Sequence, residues 1–206
     1  MIYVLLNIIK FYRNESVLKK KLIIVLAHQD DEFCIFNRII NFNNKKNIYI
    51  FYMTSGMDVN FNKGNFNKRD LESISVLKKI GISKKNIFFL GRKLSINNNR
   101  LYINLHKAFK ELIKNLKKIK GNKIVYTHAL EGGHEDHDAC NYLIKIANFK
   151  YKFFKECYQF PAYNGKGLPF NFFNVLSPLS ENGKIYYKKY KFLDRFKFIY
   201  FLFFYK

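Results

Sequence analysis

Continuous apolar runs alternate along the chain with segments of helical periodicity. The runs are typical of strands buried on both faces, and they are Lys21–Ala27 (KLIIVLA), Asn47–Thr54 (NIYIFYMT), Asn86–Leu90 (NIFFL) and Lys123–Thr127 (KIVYT). Apolar residues at helical spacing follow each run, over Phe33–Phe42, Arg69–Ile80, Asn104–Ile119 and about Asp138–Ala147. Repeated strand–helix units predict an α/β layer fold with a mainly parallel sheet.

The pattern changes after Lys150. Lys152–Phe160 is predicted to be a strand, and Asn182-Gly183 is predicted to form a hairpin turn before Lys184–Tyr187. This indicates a β-rich C-terminal part. Because neither an internal repeat nor a linker interrupts the sequence, we expect a single domain over residues 1–206.

Cysteine usage and the N-terminus bear on the compartment. The three cysteines, Cys34, Cys140 and Cys157, form no CxxC pair, so neither a disulfide framework nor a cysteine zinc site is indicated. The apolar segment Met1–Ile9 has no basic region before it and no small-residue cleavage site after it, which argues against a secretory signal. These features favour a cytoplasmic protein.

The formal net charge of +22 comes from 37 basic and 15 acidic residues. Codon bias toward AT-rich codons accounts for much of it, since Lys, Asn, Ile, Phe and Tyr are all abundant, but it does not explain the scarcity of Glu. An anionic partner is the alternative. No RNP motif or helix-turn-helix is present, so we expect no nucleic acid.

The last segment, Phe192–Lys206 (FLDRFKFIYFLFFYK), is aromatic and basic together. A final core strand or helix is the first interpretation. The alternative is a segment that rests on a membrane surface, which would make the protein membrane-associated.

Polar residues cluster directly after two of the predicted strands. The first cluster is Ala27–Glu32 (AHQDDE) and the second is Thr127–Asp138 (THALEGGHEDHD). Ligands of open α/β sheets bind beyond the carboxyl ends of the strands. The two clusters hold four of the five histidines and seven of the fifteen acidic residues, whereas His106 is predicted to lie on the surface of a basic helix.

These residue types suit a hydrolytic zinc site, which uses three nitrogen or oxygen ligands and leaves one position for water; another divalent transition metal is the alternative. His28 and Asp31 lie three apart in one turn, and His137 supplies the remote third ligand. Asp30 is then the carboxylate that takes the proton of the attacking water. His134, held protonated and oriented by Asp136, is predicted to stabilise the oxyanion.

Each cluster also has a simpler interpretation. Asp-Asp-Glu after a strand is often a helix N-cap, and a lone HxxH pair has low specificity. A dinucleotide-binding site is disfavoured, because acidic residues replace a GxGxxG turn after Lys21–Ala27. It is the combination of the two clusters that indicates a metal site.

AHQDDE (Ala27–Glu32) followed by GHEDH (Gly133–His137) resembles the signatures AHPDDE and GHPDH of the PIG-L/LmbE-like zinc de-N-acetylases. The resemblance extends over about residues 21–147. It implies a Rossmann-like three-layer sandwich and the same roles for the metal ligands His28, Asp31 and His137, for Asp30 as general base and for His134. It also implies that Arg69 helps to hold the substrate.

The sequence departs from the signatures at two positions, where Gln29 and Glu135 replace prolines. Neither position supplies a ligand, so the metal set is intact, but the loss of the prolines is expected to loosen the turns. The leading hypothesis is a zinc-dependent hydrolase that removes acetyl from an N-acetylated, GlcNAc-type sugar on a phosphate or lipid carrier, such as a glycolipid or surface-polysaccharide precursor. The alternative is a metal- or carbohydrate-binding relative that has lost catalysis.

Overall fold

A computed structural model describes residues 20–57, 66–169, 172–187, 189 and 191–204. Met1–Ile9, from which no secretory signal was predicted, lies outside the described residues. Five parallel strands form one sheet in the order β3-β2-β1-β4-β5. These strands are β1 (Lys21–Leu26), β2 (Ile48–Tyr52), β3 (Ile87–Phe89), β4 (Lys123–His128) and β5 (Glu156–Phe160).

The central strand β1 shows why the apolar runs form this sheet. It pairs with β2 through Leu22↔Ile48 and with β4 through Leu22↔Ile124, so both of its edges are hydrogen-bonded. From Leu22 onward it is completely buried. Since its side chains alternate between two covered faces, every position must be apolar.

Helices cover both faces of the sheet. They are α1 (Phe36–Ile40), α2 (Phe66–Lys79), α3 (Leu90–Lys93), α4 (Leu105–Lys118), α5 (Glu135–Tyr151) and α6 (Phe192–Leu202). Ile23 and Val25 of β1 pack against α4 and α5, whereas Leu22 and Ile24 pack against residues of α1 and α2. The predicted Rossmann-like three-layer α/β fold is confirmed.

The strand order places two turns together. After β1 the chain builds outward through β2 and β3 and then returns to add β4 on the other side of β1. The carboxyl ends of β1 and β4 therefore flank the topological switch point, where open α/β sheets bind ligands. Both sequence clusters of His and acidic residues lie there.

Helix and strand bounds differ from the predicted ones near this edge. The helix predicted over Asp138–Ala147 begins at Glu135, because the side chain of His134 caps it, and continues to Tyr151. It ends where Lys152 adopts a left-handed conformation with φ 50°. The strand predicted from Lys152 consequently begins only at Glu156.

The C-terminal part adds a two-stranded antiparallel sheet of β6 (Tyr163–Asn164) and β7 (Asn174–Val175). The hairpin predicted at Asn182-Gly183 is wrong. Ser180–Asn182 form a 3-10 helix, and Gly183 has an extended ψ of −160° with φ 116°, which is not hairpin-turn geometry. The described residues of Lys184–Tyr187 form no strand.

The aromatic C-terminal segment forms helix α6, which packs on the outside of the α1–α2 layer. Phe36, Val76 and Phe201 are the buried centre of this contact. Within the described residues, no helix has both the length and the apolar character needed to cross a membrane. Whether the whole chain is one domain remains a prediction.

Candidate metal centre

The turn after β1 is tight and strongly hydrogen-bonded. Asp31 Oδ2 accepts from the backbone N–H of His28 at 2.7 Å, which curls the chain back and points both side chains to one side. Asp30, between them, has φ 103°, a conformation that costs a non-glycine residue of order 1–3 kcal/mol and is concentrated at functional sites. The turn therefore presents a histidine and two carboxylates at the end of a buried strand.

The turn after β4 delivers its residues from the start of α5. His134 is the N-cap of this helix, and its Nδ1 accepts from the backbone N–H of Asp136 at 3.1 Å. His137 lies in the first helical turn and is buried. Gly133 permits the approach of this loop to β6, because a Cβ atom at that position would lie 2.0 Å from the carbonyl oxygen of Tyr163.

The two turns meet at three predicted ligands. The ring centroids of His28 and His137 are 5.3 Å apart, and the nearest potential ligand atoms of His28, Asp31 and His137 lie within 4.8 Å of one another. His137 Nε2 lies 3.4 Å from Asp31 Oδ1. Two ligands at about 2.1 Å from a tetrahedral zinc ion stand roughly this far apart.

His137 Nε2 is the atom that points most clearly to a missing cation. It is buried and makes no hydrogen bond with the described residues, although a buried imidazole nitrogen normally has a partner. The donor set of two imidazoles and one carboxylate is the kind that zinc favours. The residues present therefore fit the metal.

His28 is oriented by a carboxylate on its far side. Its Nε2 lies 3.1 Å from Asp136 Oδ2, and its Nδ1 lies 3.5 Å from Asp31 Oδ2. Burial alone lowers the pKa of His28, but the hydrogen bonds with Asp136 and Asp31 raise it, to about 9. A carboxylate–histidine pair facing a ligand atom is the usual arrangement around protein-bound metals.

His128 completes the floor of the site, and sequence reasoning gave it no role. Its ring stacks on His137 with centroids 3.8 Å apart, and its Nε2 lies 3.1 Å from Asp31 Oδ2. Burial lowers its pKa to about 4. The same Nε2 also lies 3.2 Å from the backbone nitrogen of Ala27, which donates to it. The pKa of the adjacent Asp31 carboxyl is held well below its usual range: burial raises it, but the contacts with His128, His137 and His28 outweigh that effect.

Asp30 is held differently from Asp31. Its side chain is about half exposed (54%) and accepts from Arg69 Nη2 at 2.8 Å. Partial burial and the neighbouring Asp31 raise its pKa to about 6, although Arg69 opposes the shift. Arg69 also donates to the carbonyl oxygens of Gln29 and Gly56, so this predicted substrate contact is at the same time a clamp on the turn.

The predicted protonated state of His134 does not agree with the geometry. Nδ1 accepts from a backbone N–H and so carries no proton, which leaves the proton of a neutral ring on Nε2. Burial and the neighbours His28 and His137 lower its pKa. A neutral imidazole can still donate one hydrogen bond from Nε2.

The predicted partner of Asp136 also needs correction. We expected its carboxylate to orient His134, but the carboxylate bonds to His28 and accepts from the backbone N–H groups of Asn99 and Leu101, at 2.6 and 2.9 Å. Only its backbone N–H contacts His134. The reason is that a residue in the first helical turn gives its N–H to the cap, while its side chain points toward β1.

Gln29 occupies the position of the first signature proline and holds the turn through side-chain hydrogen bonds. Its side chain is fully buried, and Nε2 donates to Asp70 Oδ1 at 2.6 Å and to the carbonyl oxygen of Ser55 at 3.3 Å. Asp70 in turn pairs with Arg92. The expected loosening is thus countered by buried hydrogen bonds. Glu135, at the second departure, is exposed at the N-terminus of α5, where negative charge favours the helix.

A cavity of about 450 Å³ opens over these residues. Besides predicted site residues it is lined by Cys34, Asn98, Asn99 and Tyr163, which sequence reasoning missed. The polar run Asn97–Arg100 after the third strand was a usable signal for the asparagines. Tyr163 had none, because its position depends on the path of the chain after β5.

Comparison with known protein families identifies the region that contains both turns. The family model described as PIG-L, GlcNAc-PI de-N-acetylase, matches residues 23–148, which is more than half of the chain and includes both turns. The chain belongs to the PIG-L family. A search of curated proteins finds no significant match.

Three solved structures of deacetylases share the PIG-L chain's fold. A deacetylase triple mutant from the teicoplanin biosynthetic pathway has 12% identity and a TM-score of 0.61, over 90% of this chain and 81% of that one. A deacetylase–bog complex from the same pathway has 12% identity and a TM-score of 0.60, over 90% of this chain and 83% of that one. N,N'-diacetylchitobiose deacetylase from Pyrococcus horikoshii, in complex with its inhibitor MPG, has 17% identity and a TM-score of 0.51, over 75% of this chain and 64% of that one. This chain therefore spans under two thirds of that enzyme.

Proposed function

We propose that this PIG-L family member is a zinc-dependent hydrolase that removes the acetyl group from an N-acetylated amino sugar of the GlcNAc type. The observation that carries the proposal is the buried, unbonded Nε2 of His137 beside Asp31 Oδ1, with His28 completing a donor set at the floor of an open cavity. The family description and the activity named for the chitobiose deacetylase support the choice of substrate class.

His28, Asp31 and His137 would hold the metal. When bound, zinc supplies a water molecule of lowered pKa and polarises the scissile carbonyl group. Asp136 orients the His28 ring from the side away from Asp31, through a contact of 3.1 Å, and the buried His128 ring packs against His137 and Asp31. Preorganised ligands of this kind lower the cost of assembling the centre.

Asp30 is the general base in this proposal. Its carboxylate borders the cavity and is not needed as a ligand, so it is available to accept the proton of the attacking water. Arg69, paired with it at 2.8 Å, holds the carboxylate in place and borders the same cavity. Its predicted contact with substrate would use the part of the guanidinium that Asp30 and the backbone leave exposed.

His134 is proposed to stabilise the oxyanion. With Nδ1 engaged by the helix N-terminus, the Nε2 proton is the one available to donate. A fixed donor aimed at developing charge is worth about 3–4 kcal/mol of barrier in other hydrolases. The side chain is half-buried at the cavity, where water screens such a bond less than at an open surface.

For the carrier of the sugar, we propose a phosphate- or lipid-linked conjugate, such as a glycolipid or surface-polysaccharide precursor. The net charge of +22 favours binding of a phosphate-bearing substrate. Purified protein should be tested for amine release from a GlcNAc-lipid, UDP-GlcNAc and free GlcNAc. Equal rates on all three would argue against a role for the carrier.

Asp30→Asn separates an enzyme from a relative that only binds. We expect amine release to fall by about 10²–10⁴-fold, the usual worth of a general base, while one zinc ion per chain stays bound. Glu135→Gln is the matched control, because this acid lies next to the same site but faces solvent. A wild-type protein that binds zinc and sugar but releases no amine would support the alternative, a binding relative without catalysis.

A further inference from the structure

Helix α6 has two unlike faces. Phe198 and Phe201 pack against the Phe36 ring at centroid distances of 5.6 and 5.5 Å. The other face, continued by the C-cap residue Phe203, carries six large apolar side chains, each more than half exposed: Phe192, Leu193, Phe196, Ile199, Tyr200 and Phe203. Their spacing of i, i+1, i+4, i+7, i+8 and i+11 defines one stripe along the helix, which we call the aromatic stripe.

The rotation of α6 about its axis is fixed, so the stripe cannot turn inward. Asp194 is buried on the packed face and accepts from Asn41 Nδ2 at 2.9 Å. Phe198 also meets the Phe33 ring edge-on at 5.5 Å. Because Asp194 and Phe198 hold one face of α6 against the protein, the aromatic stripe on the opposite face points away from the sheet. Single exposed apolar residues are ordinary, but a contiguous patch marks an interaction surface.

Basic residues border the stripe. At the α-helical rotation of about 100° per residue, Arg195 and Lys197 flank it on opposite sides, and Lys191 precedes it. All three are exposed. Long basic side chains beside an apolar face can extend their charges to lipid headgroups while their stems stay in the interface.

Helix α6 is connected to the lining of the candidate metal centre through two neighbouring residues. Phe33, which contacts Phe198, is followed in the chain by Cys34, and Cys34 lines the cavity.

We infer that the aromatic stripe of α6 docks on an anionic lipid bilayer, lying in the plane of the interface. We choose this partner on the ground of charge complementarity. An excess of 22 positive charges opposes contact between two copies of the chain and favours an anionic surface, to which each basic residue adds attraction. The inference does not depend on catalysis.

Vesicle sedimentation tests the inference with the full chain. Vesicles of phosphatidylcholine with phosphatidylglycerol should bind the wild type, and binding should weaken with salt and be much lower on phosphatidylcholine alone. In Phe196→Ser/Phe203→Ser, binding should fall roughly tenfold or more. Tyr142→Ser/Phe149→Ser is the matched control, with exposures of 52% and 77% on α5 against 56% and 77% on α6, and the same seven-residue spacing.

Zinc content and circular dichroism report folding of both double variants independently of activity. The inference is overturned if the wild type does not bind anionic vesicles, or if both double variants lose binding equally. It is also overturned if the α6 variant dissociates an oligomer without a change in vesicle binding, since the stripe would then serve a second copy of the chain. Failure of amine release would refute the proposed function and leave this result intact.

Discussion

The turns after β1 and β4 both carry histidine and acid and both have internal hydrogen bonds, but their side-chain supports differ. The first is short, and α2 clamps it: Gln29 bonds to Asp70, and Arg69 bonds to Asp30. The second is longer, and its own Asp138 accepts from the backbone N–H groups of Glu131 and Gly132 at 2.9 and 3.1 Å.

This difference changes how the acidic residues are interpreted. Glu131 Oε2 accepts from the backbone N–H of Ala162, and Glu32 Oε2 accepts from that of Asp30. With Asp138, these acids support only the backbone, whereas Asp31 and Asp136 accept backbone N–H groups and also contact the histidines. In the sequence alone, the local concentration of acids indicates a cation. It has two causes: some acids support the backbone of the turns, and others belong to the candidate metal site.

Removing a ligand from the second turn should have the largest effect. In His137→Ala we expect bound zinc to fall from about one per chain to near zero, because two protein ligands hold zinc far more weakly than three. Amine release should drop to background. Metal analysis after dialysis measures the first effect, and His106→Ala, an exposed histidine, is the control. Unchanged zinc in His137→Ala would remove this residue from the site.

His134→Ala should separate chemistry from metal binding within the same turn. We expect kcat to fall by about 10²–10³-fold, as for the loss of one oxyanion donor, with zinc content unchanged. Steady-state amine release and metal analysis on one preparation measure both. A parallel loss of zinc would instead make His134 a ligand, which the second candidate donor set of His28, His134 and Asp136 would then explain.

Asp136→Asn tests the link between the two turns. Asn99 and Leu101 donate to different oxygens of the carboxylate, so the single amide oxygen keeps only one of these bonds, and the side chain no longer supplies a carboxylate to the His28 ring. We expect zinc affinity to fall by about 10–100-fold, as for other residues that orient a metal-binding histidine. Competition with a zinc chelator measures the change. An affinity within twofold of wild type would show that His28 needs no orienting charge.

Sequence reasoning recovered the parallel sheet, because β1, β2 and β4 are apolar on both faces, and it recovered the family through the two turns. It placed helix α5 too late, since a histidine is an unusual N-cap and gave no signal. It assigned Asp136 to His134 because neighbours in sequence were assumed to be partners. In three dimensions the start of a helix sends its N–H groups and its side chains to different partners, and only the structure shows which.

The smallest and most specific prediction compares the supports of the two turns. Gln29→Ala removes a buried hydrogen bond from Asp70, whose carboxyl group stays buried beside Arg92; an unsatisfied buried group costs about 1–3 kcal/mol. Asp138→Ala frees backbone N–H groups at Glu131 and Gly132 that are partly or fully exposed, so water can replace the carboxylate, and the loss should be nearer 0.5–1.5 kcal/mol. Urea unfolding at one saturating zinc concentration compares the two variants without a difference in metal linkage. If Asp138→Ala proves the more destabilising, the second turn depends on its internal bonds more than the first depends on its neighbours, and the contrast drawn between the two turns is reversed.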